Sequence, residues 1–428
     1  MIRSLGFPAL ASLLVAAPLA AQDAPAGTAE TYAITNATIV PVVGARIEAG
    51  TIVMRGSRIE AVGAGLMPPP GARVIDGRGL FVYPGLIDAG VQLGLVEIGS
   101  VPGGQDIQEL GQFNPHNNSL TAVNPHSEHF PTTRVNGVTT VLTSAQGGMI
   151  HGTAALIDLT GWTTDDMAAK GRAAMVMTYP RVTSGRFGGR RGGQGQGDAG
   201  EQVNRQVQEL TTYLREARAY NALARPAKAN LPFAALAPAL RGEMPVIFNV
   251  QTDGQIRGVL ALADSFKLKV ILRGATEAWM LADTLAARKI PVIVGPMTQV
   301  PERDLPYDAV YANPGVLARA GVQIAFQSED GGTGDSRNLP YNAALATAYG
   351  LDPDEALRAI TINPARMLGV ESTLGSLEAG KSANLFVTTG DPLDVRTVVK
   401  HVFIRGQPIP WDDRHTELYE RFRARPKP

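Results

Sequence analysis

The 428-residue chain contains no cysteine, which excludes disulfides, zinc–thiolate sites and cysteine nucleophiles together. It has no net charge either. Lysine plus arginine and aspartate plus glutamate both total 39, so nothing global draws the chain to nucleic acid, a membrane surface or acidic substrates. Beyond the N-terminus no apolar run approaches the ~20 residues of a membrane span. Histidine is scarce: the six are His116, His126, His129, His151, His401 and His415, none within 152–400. No two form a His-x-His or His-Glu-x-x-His pair, the spacings that place two imidazoles on one metal.

What is present begins with a targeting pattern. Arg3 precedes an uncharged run rich in alanine and leucine, and the small residues Ala20 and Ala21 precede Gln22 and Asp23. Residues 1–21 are therefore expected to be a secretory signal peptide. A chain this long buries enough core to be exported without disulfides, so a periplasmic or secreted location is expected.

Short apolar runs at 33–34, 37–43, 51–54 and 59–62, separated by Gly44, Gly50, Gly56 and Gly63, predict a strand-rich N-terminal unit. From about residue 80 the texture changes. Continuous apolar runs at 137–143, 173–178, 245–250, 268–272, 291–294 and 322–326 alternate with helical patterns at 202–224, 255–266, 277–287, 314–320 and 340–349. Buried parallel strands read as continuous apolar runs because helices cover both faces. The repetition predicts an α/β fold, either a TIM-like (β/α)8 barrel or a doubly wound sheet. Short strands return at 384–387 and 398–405, so the two chain ends can pair into one β-sandwich. The expected organisation is N-terminal sandwich at 32–80, barrel at 81–374, C-terminal sandwich at 375–410 and a charged tail at 411–428. One segment, 184–200, is dominated by glycine and carries Arg186, Arg190 and Arg191. It is expected to be a flexible loop.

Three segments resemble the amidohydrolase superfamily, its imidazolonepropionase-like and dihydroorotase-like members above all. They are Val-Ile-Asp-Gly-Arg-Gly-Leu-Phe-Val-Tyr-Pro-Gly-Leu-Ile-Asp at 74–88, Asn-Gly-Val-Thr-Thr-Val at 136–141, and Thr-Ile-Asn-Pro-Ala at 361–365 followed by Gly-Ser-Leu-Glu-Ala-Gly-Lys at 375–381. The resemblance spans most of the chain and implies a TIM-like barrel with a composite β-sandwich. It also implies hydrolysis of carbon–nitrogen (non-peptide) bonds by one or two divalent metals such as zinc, which lower the pKa of a bound water.

The ligand positions implied by the resemblance are altered. Gly90-Val91-Gln92 stands where the family has His-x-His, and Asn249 and Gln251 stand at the histidine positions of the fifth strand. Gly274 falls at the sixth-strand position, and Glu329 replaces the metal-binding aspartate. No metal ligand and no cofactor are therefore assigned. Gln92, Asn249 and Gln251, with Arg273 and His126, are the expected ligand pocket, because side-chain amides donate and accept hydrogen bonds but ligate metals poorly. They can equally satisfy one another. Glu329 and Asp330 are the candidate catalytic pair: adjacent carboxylates, one desolvated beside Arg273, can split their protonation states. Alternatively one caps a helix and the other faces water. His126 lies on a long polar loop after the first strand, and His151 is expected in a turn after the second. The expected partner is a small polar or amide-containing molecule, or an active homologue; neither nucleic acid nor a membrane span is expected. The expected function is atypical or non-catalytic ligand binding; the alternative is an active hydrolase of cyclic amides or small peptides with a carboxylate centre.

Overall fold

Both ends of the chain contribute to one sheet. A computed structural model describes residues 30–181, 196–299, 305–328, 334–410 and 414–426. Strands β1 (Thr31–Ile39), β2 (Ile47–Arg55) and β3 (Arg58–Ala64) form an antiparallel meander, while β4 (Arg73–Asp76) and β5 (Phe81–Pro84) lie parallel to β1. The chain then leaves for the barrel. It returns as β14 (Leu385–Thr388), β15 (Val399–Ile404) and β16 (Gln407–Pro408), with β14 antiparallel to β5. Residues Ile34, Ile39, Ile52 and Met54 from the first strands and Leu385 and Phe403 from the returning ones fill one shared core, so neither end can bury its apolar face without the other. This is the composite sandwich expected from the sequence.

The barrel sheet runs in sequence order: β6 (Leu86–Val91), β7 (Val138–Thr143), β8 (Ile150–Asp158), β9 (Ala168–Thr178), β10 (Val246–Val250), β11 (Val270–Gly274), β12 (Val292–Val294) and β13 (Ile324–Phe326). Seven strands are parallel. The exception is β8, which is antiparallel to both β7 and β9, so the (β/α)8 pattern is interrupted once by a hairpin excursion. The start of β8 therefore lies at the same mouth as the ends of its neighbours. His151, the second residue of β8, is thus in a strand and not in the turn expected for it.

The first and last strands are joined by a buried carboxylate. Asp88 on β6 accepts hydrogen bonds from the Gly90 N–H (3.1 Å) and the Ser328 N–H (3.3 Å). It also accepts one from the Ser328 hydroxyl. Burial pushes the Asp88 pKa up to about 7, against the pull of these three donors. A second polar tie joins barrel to sandwich. Asp158 on β8 accepts from Thr140 (2.9 Å), from Asn384 (2.8 Å) and from Arg405 Nε (2.6 Å).

Helices follow the expected pattern. Asp253–Phe266 begins at a reciprocal capping box between Thr252 and Gln255, which satisfies two backbone donors at its start. The helix Gln196–Asn221 begins inside the glycine-rich stretch, so residues 196–200 are helical backbone and not loop. Residues 182–195, with Arg186, Arg190 and Arg191, lie outside the described residues, as does the expected signal peptide. The tail carries an exposed helix, Arg414–Arg423. Among the described residues no helix is long and apolar enough to cross a membrane.

Candidate functional site at the barrel mouth

A cavity of about 370 Å³ opens at the C-terminal ends of the parallel strands, where barrel loops converge. Gln92 follows β6, Ser144 follows β7, Thr178 ends β9, Gln251 follows β10 and Gln327 follows β13. Asn249 is in register with both Thr178 and Arg273 on the adjacent strands, so the three side chains share the interior face. Four expected pocket residues, Gln92, Asn249, Gln251 and Arg273, line this cavity together. His126 does not. It is exposed, with its ring edge-on to Trp162 at 6.5 Å. Glu329 and Asp330 lie outside the described residues.

Sequence reasoning left His151, Thr178 and Ser144 out of the site, yet they carry its main hydrogen-bond chain. His151 Nδ1 is 3.1 Å from the Ala145 carbonyl, which can only accept, so Nδ1 carries the proton. Burial, helped by the nearby charge of Arg273, holds the His151 pKa down to about 4. The ring is therefore neutral at pH 7, and Nε2 accepts from the Thr178 hydroxyl at 3.0 Å. The Thr178 oxygen in turn accepts from Asn249 Nδ2 at 3.1 Å. Asn249 Oδ1 accepts from Arg273 Nε at 2.6 Å, and Arg273 Nη1 donates to Ser144 Oγ at 3.0 Å. Each member has one assigned direction, and the chain ends by orienting the guanidinium.

The amides do not simply pair with one another. Gln251 takes Thr276 Oγ1 at 3.3 Å on its side-chain oxygen, and its backbone N–H meets Gln255 of the capping box at 2.9 Å. Gly274, with φ +84°, gives Gln251 its place: a Cβ there would lie 2.8 Å from the Gln251 amide nitrogen. Gly90 is equally constrained. A Cβ on it would meet Gln327 Oε1 at 2.5 Å and Arg273 Cδ at 3.3 Å, and Gln327 is held by its bond to the Gly295 carbonyl (2.8 Å). The space for a side chain at position 90 is already filled by Gln327, after the neighbouring β13, and by Arg273 of β11. Gly90→Ala is therefore expected to lower stability by roughly 1–3 kcal/mol through overpacking, read from a denaturant midpoint; an unchanged midpoint would contradict this packing.

This donor set does not fit a zinc centre. Zinc takes imidazole, thiolate and carboxylate ligands, whereas both nitrogens of the one lining imidazole are engaged within the protein. Among the described residues no three His, Cys, Asp or Glu side chains gather where they could hold a metal. Two guanidiniums, Arg181 and Arg273, line the same cavity and repel a dication. Nucleophilic chemistry is also poorly served. Thr178 and His151 have the spacing of a nucleophile and base, but a base with a pKa near 4 takes a proton weakly at neutral pH.

The Amidohydrolase family model matches residues 259–409. Among curated proteins, the chain is 46% identical over 65 residues to an N-substituted formamide deformylase of Arthrobacter pascens (15% of this chain, 12% of that protein). It is 37% identical over 82 residues to the imidazolonepropionase of Symbiobacterium thermophilum (19% of each chain). The aligned stretch thus spans less than a fifth of the length of either relative. In fold it is similar to an amidohydrolase from Thermotoga maritima MSB8, with TM-score 0.78, 24% identity, and coverage of 88% of this chain and 99% of that one. It is also similar to a prolidase complexed with N-methylphosphonate-L-proline, with TM-score 0.56, 18% identity, and coverage of 89% and 99%.

Proposed function

The chain belongs to the amidohydrolase superfamily, and from that premise we propose that its barrel mouth binds a small polar or amide-containing molecule without activating a metal-bound water. One observation carries this reading. The mouth's imidazole, neutral, takes the Thr178 hydroxyl on Nε2 within a hydrogen-bond chain from the Ala145 carbonyl to Arg273, and the positions where the resemblance implies metal-binding histidines hold Gln92, Asn249 and Gln251. The pocket that remains is lined by Gln92, Gln146, Asn249, Gln251 and Gln327, whose donors and acceptors suit a ligand carrying both. Arg3 and the apolar run after it are the grounds for proposing a periplasmic setting, where the chain acts alone or beside an active homologue.

The test is a panel of small cyclic and linear amides, followed by ligand-detected NMR and by product analysis on the same samples. Saturable binding without product is expected, weakened about tenfold in Gln251→Ala, the scale of one lost ligand hydrogen bond. Turnover abolished by Glu329→Ala would overturn the reading in favour of a carboxylate-centred hydrolase.

A further inference from the structure

We propose that a second cavity, at the junction of sandwich and barrel, binds small alkylamines as their ammonium ions. This goes beyond the reading of the mouth and does not rest on it. The cavity, of about 360 Å³, shares no lining residue with the mouth. It lies between the loop after β1, Tyr83 of β5, the loop after β14 and the helix Pro353–Ala359. Tyr83 comes just before β6, so the cavity sits toward the N-terminal ends of the barrel strands, away from the mouth. Val40, Pro41, Leu357 and Leu393 give it an apolar wall.

A buried hydroxyl without a partner is the first sign of a ligand here. Tyr83 is 5% exposed and its ring stacks on Phe81 and Phe386, yet among the described residues its hydroxyl makes no hydrogen bond. The charges it feels are those of Asp391 and Arg46, which both line the cavity, so the hydroxyl end faces that space. Burial, and after it the Asp391 charge, push its pKa well above the usual tyrosine range. It is therefore a neutral hydroxyl at pH 7, with an oxygen open to a ligand's donor. Leaving such a group unpaired costs free energy that a bound donor would recover.

The charges around that hydroxyl do not cancel. Arg46 lies over the Phe81 ring at 5.0 Å and pairs with Glu48 at 2.8 Å, and Arg358 pairs with Glu355 at 3.6 Å. Neither glutamate lines the cavity. Asp354 and Asp391 do line it, and among the described residues neither has an ion-pair partner. Asp391 gives one oxygen to the Leu393 N–H at 2.9 Å and keeps the other for a ligand. An ammonium group carries three donors and makes its strongest hydrogen bonds to a carboxylate, so Asp391 and the Tyr83 oxygen suit it, while the apolar wall takes a short alkyl chain. The wall itself is held under strain. Val42, which also lines the cavity, has φ +71°, a left-handed conformation unfavourable for a β-branched residue and of the kind that clusters at ligand sites.

The test titrates the mature full chain with isoamylamine, with its neutral counterpart isoamyl alcohol and with the anion isovalerate, by ligand-detected NMR at low salt and neutral pH. The amine is expected to bind saturably and about tenfold more tightly than the alcohol, the scale of one charge-assisted hydrogen bond, and isovalerate is expected not to displace it. Tyr83→Phe keeps the ring stack and removes only the hydroxyl. It is expected to weaken the amine about fivefold, the scale of one neutral hydrogen bond, without lowering the denaturant midpoint, since no bond within the protein is lost. Asp391→Asn, which keeps an acceptor for the Leu393 N–H, is expected to weaken it about tenfold. If that variant does not fold, Tyr83→Phe decides alone. Equal affinities for amine and alcohol, no binding of the amine, or amine binding unchanged in Tyr83→Phe would each overturn the proposal. Gln251→Ala is expected to leave amine binding unchanged; a loss there would move the amine to the mouth and overturn it too. None of these failures touches the reading of the mouth, which stands or falls with its own amide panel.

Discussion

Replacing Asp158 with alanine is expected to lower the stability of the folded chain by roughly 3–5 kcal/mol, the scale of a buried ion pair broken from one side. The Asp158 side chain is 3% exposed, and its partner Arg405 is 32% exposed. The carboxylate also accepts from Thr140 and Asn384. Arg405 sits just after β15 and Asn384 just before β14, so this one side chain ties the barrel to the returning C-terminal strands. Removing it takes the counter-charge from Arg405, which keeps only the Asp166 carbonyl, and one bond each from Asn384 and Thr140, which keep the bond between them (3.2 Å). In urea the midpoint should fall while the slope holds, as for a loss of stability without a change in exposed surface. Replacing both partners, as in Asp158→Leu with Arg405→Met, should recover most of the loss, because no charge is then left unpaired. A loss below about 1 kcal/mol in Asp158→Ala would show that the tie is no better than a surface pair.

The second large effect is a pair of opposed pH dependences hidden in the wild-type chain. The His151 pKa is lowered from 6.5 to about 4 on folding. Its contribution to stability is therefore present above pH 6.5 and lost as the pH falls through about 4, a swing of roughly 3 kcal/mol. The Asp88 pKa is raised from 3.8 to about 7. Its contribution is present below pH 3.8 and lost as the pH rises through about 7, a swing of roughly 4 kcal/mol. Between pH 4 and 6.5 the two slopes largely cancel.

Single substitutions should expose them. In Asp88→Asn, where the amide oxygen still accepts from the Gly90 and Ser328 N–H groups, only the His151 slope remains. Its stability relative to wild type is expected to climb by roughly 3 kcal/mol from pH 4 to pH 6.5. In His151→Gln the opposite holds, and relative stability is expected to fall by a similar amount over the same window. Chemical denaturation at a series of pH values reads both. Three parallel curves would contradict the assignment of these two groups.

The fold was largely legible in the sequence because it follows from runs of apolar residues and the turns between them. The composite sandwich was visible because both chain ends return to short strands, each with an unpaired apolar face. What the runs could not show was direction. Ile150–Asp158 is a buried apolar strand like its neighbours, and only its pairing reveals it as antiparallel. That reversal brings His151 to the mouth, so the site's one imidazole was misplaced into a turn.

At the site, Gln92, Asn249 and Gln251 were legible through the family resemblance, which puts them at strand ends where it implies metal-binding histidines, and Arg273 through its place on the next strand; all four line the cavity. The contact between Arg273 and the space above Gly90 spans the barrel and has no local signature. The roles of Thr178 and Ser144 are set by partners many residues away in the chain. His126 shows the converse limit: a polar loop after the first strand has room to turn outward, and it does. Glu329 and Asp330 lie outside the described residues.

Elemental metal analysis tests the central claim most directly. The purified mature chain is incubated with Zn²⁺, Mn²⁺ or Mg²⁺, desalted thoroughly and measured for retained metal. The account predicts far less than one ion per chain, unchanged in Glu329→Ala, because among the described residues the donors at the mouth are amides, hydroxyls and an imidazole beside a guanidinium. Near-stoichiometric metal, lost in Glu329→Ala, would contradict it and make this barrel a metal-dependent hydrolase.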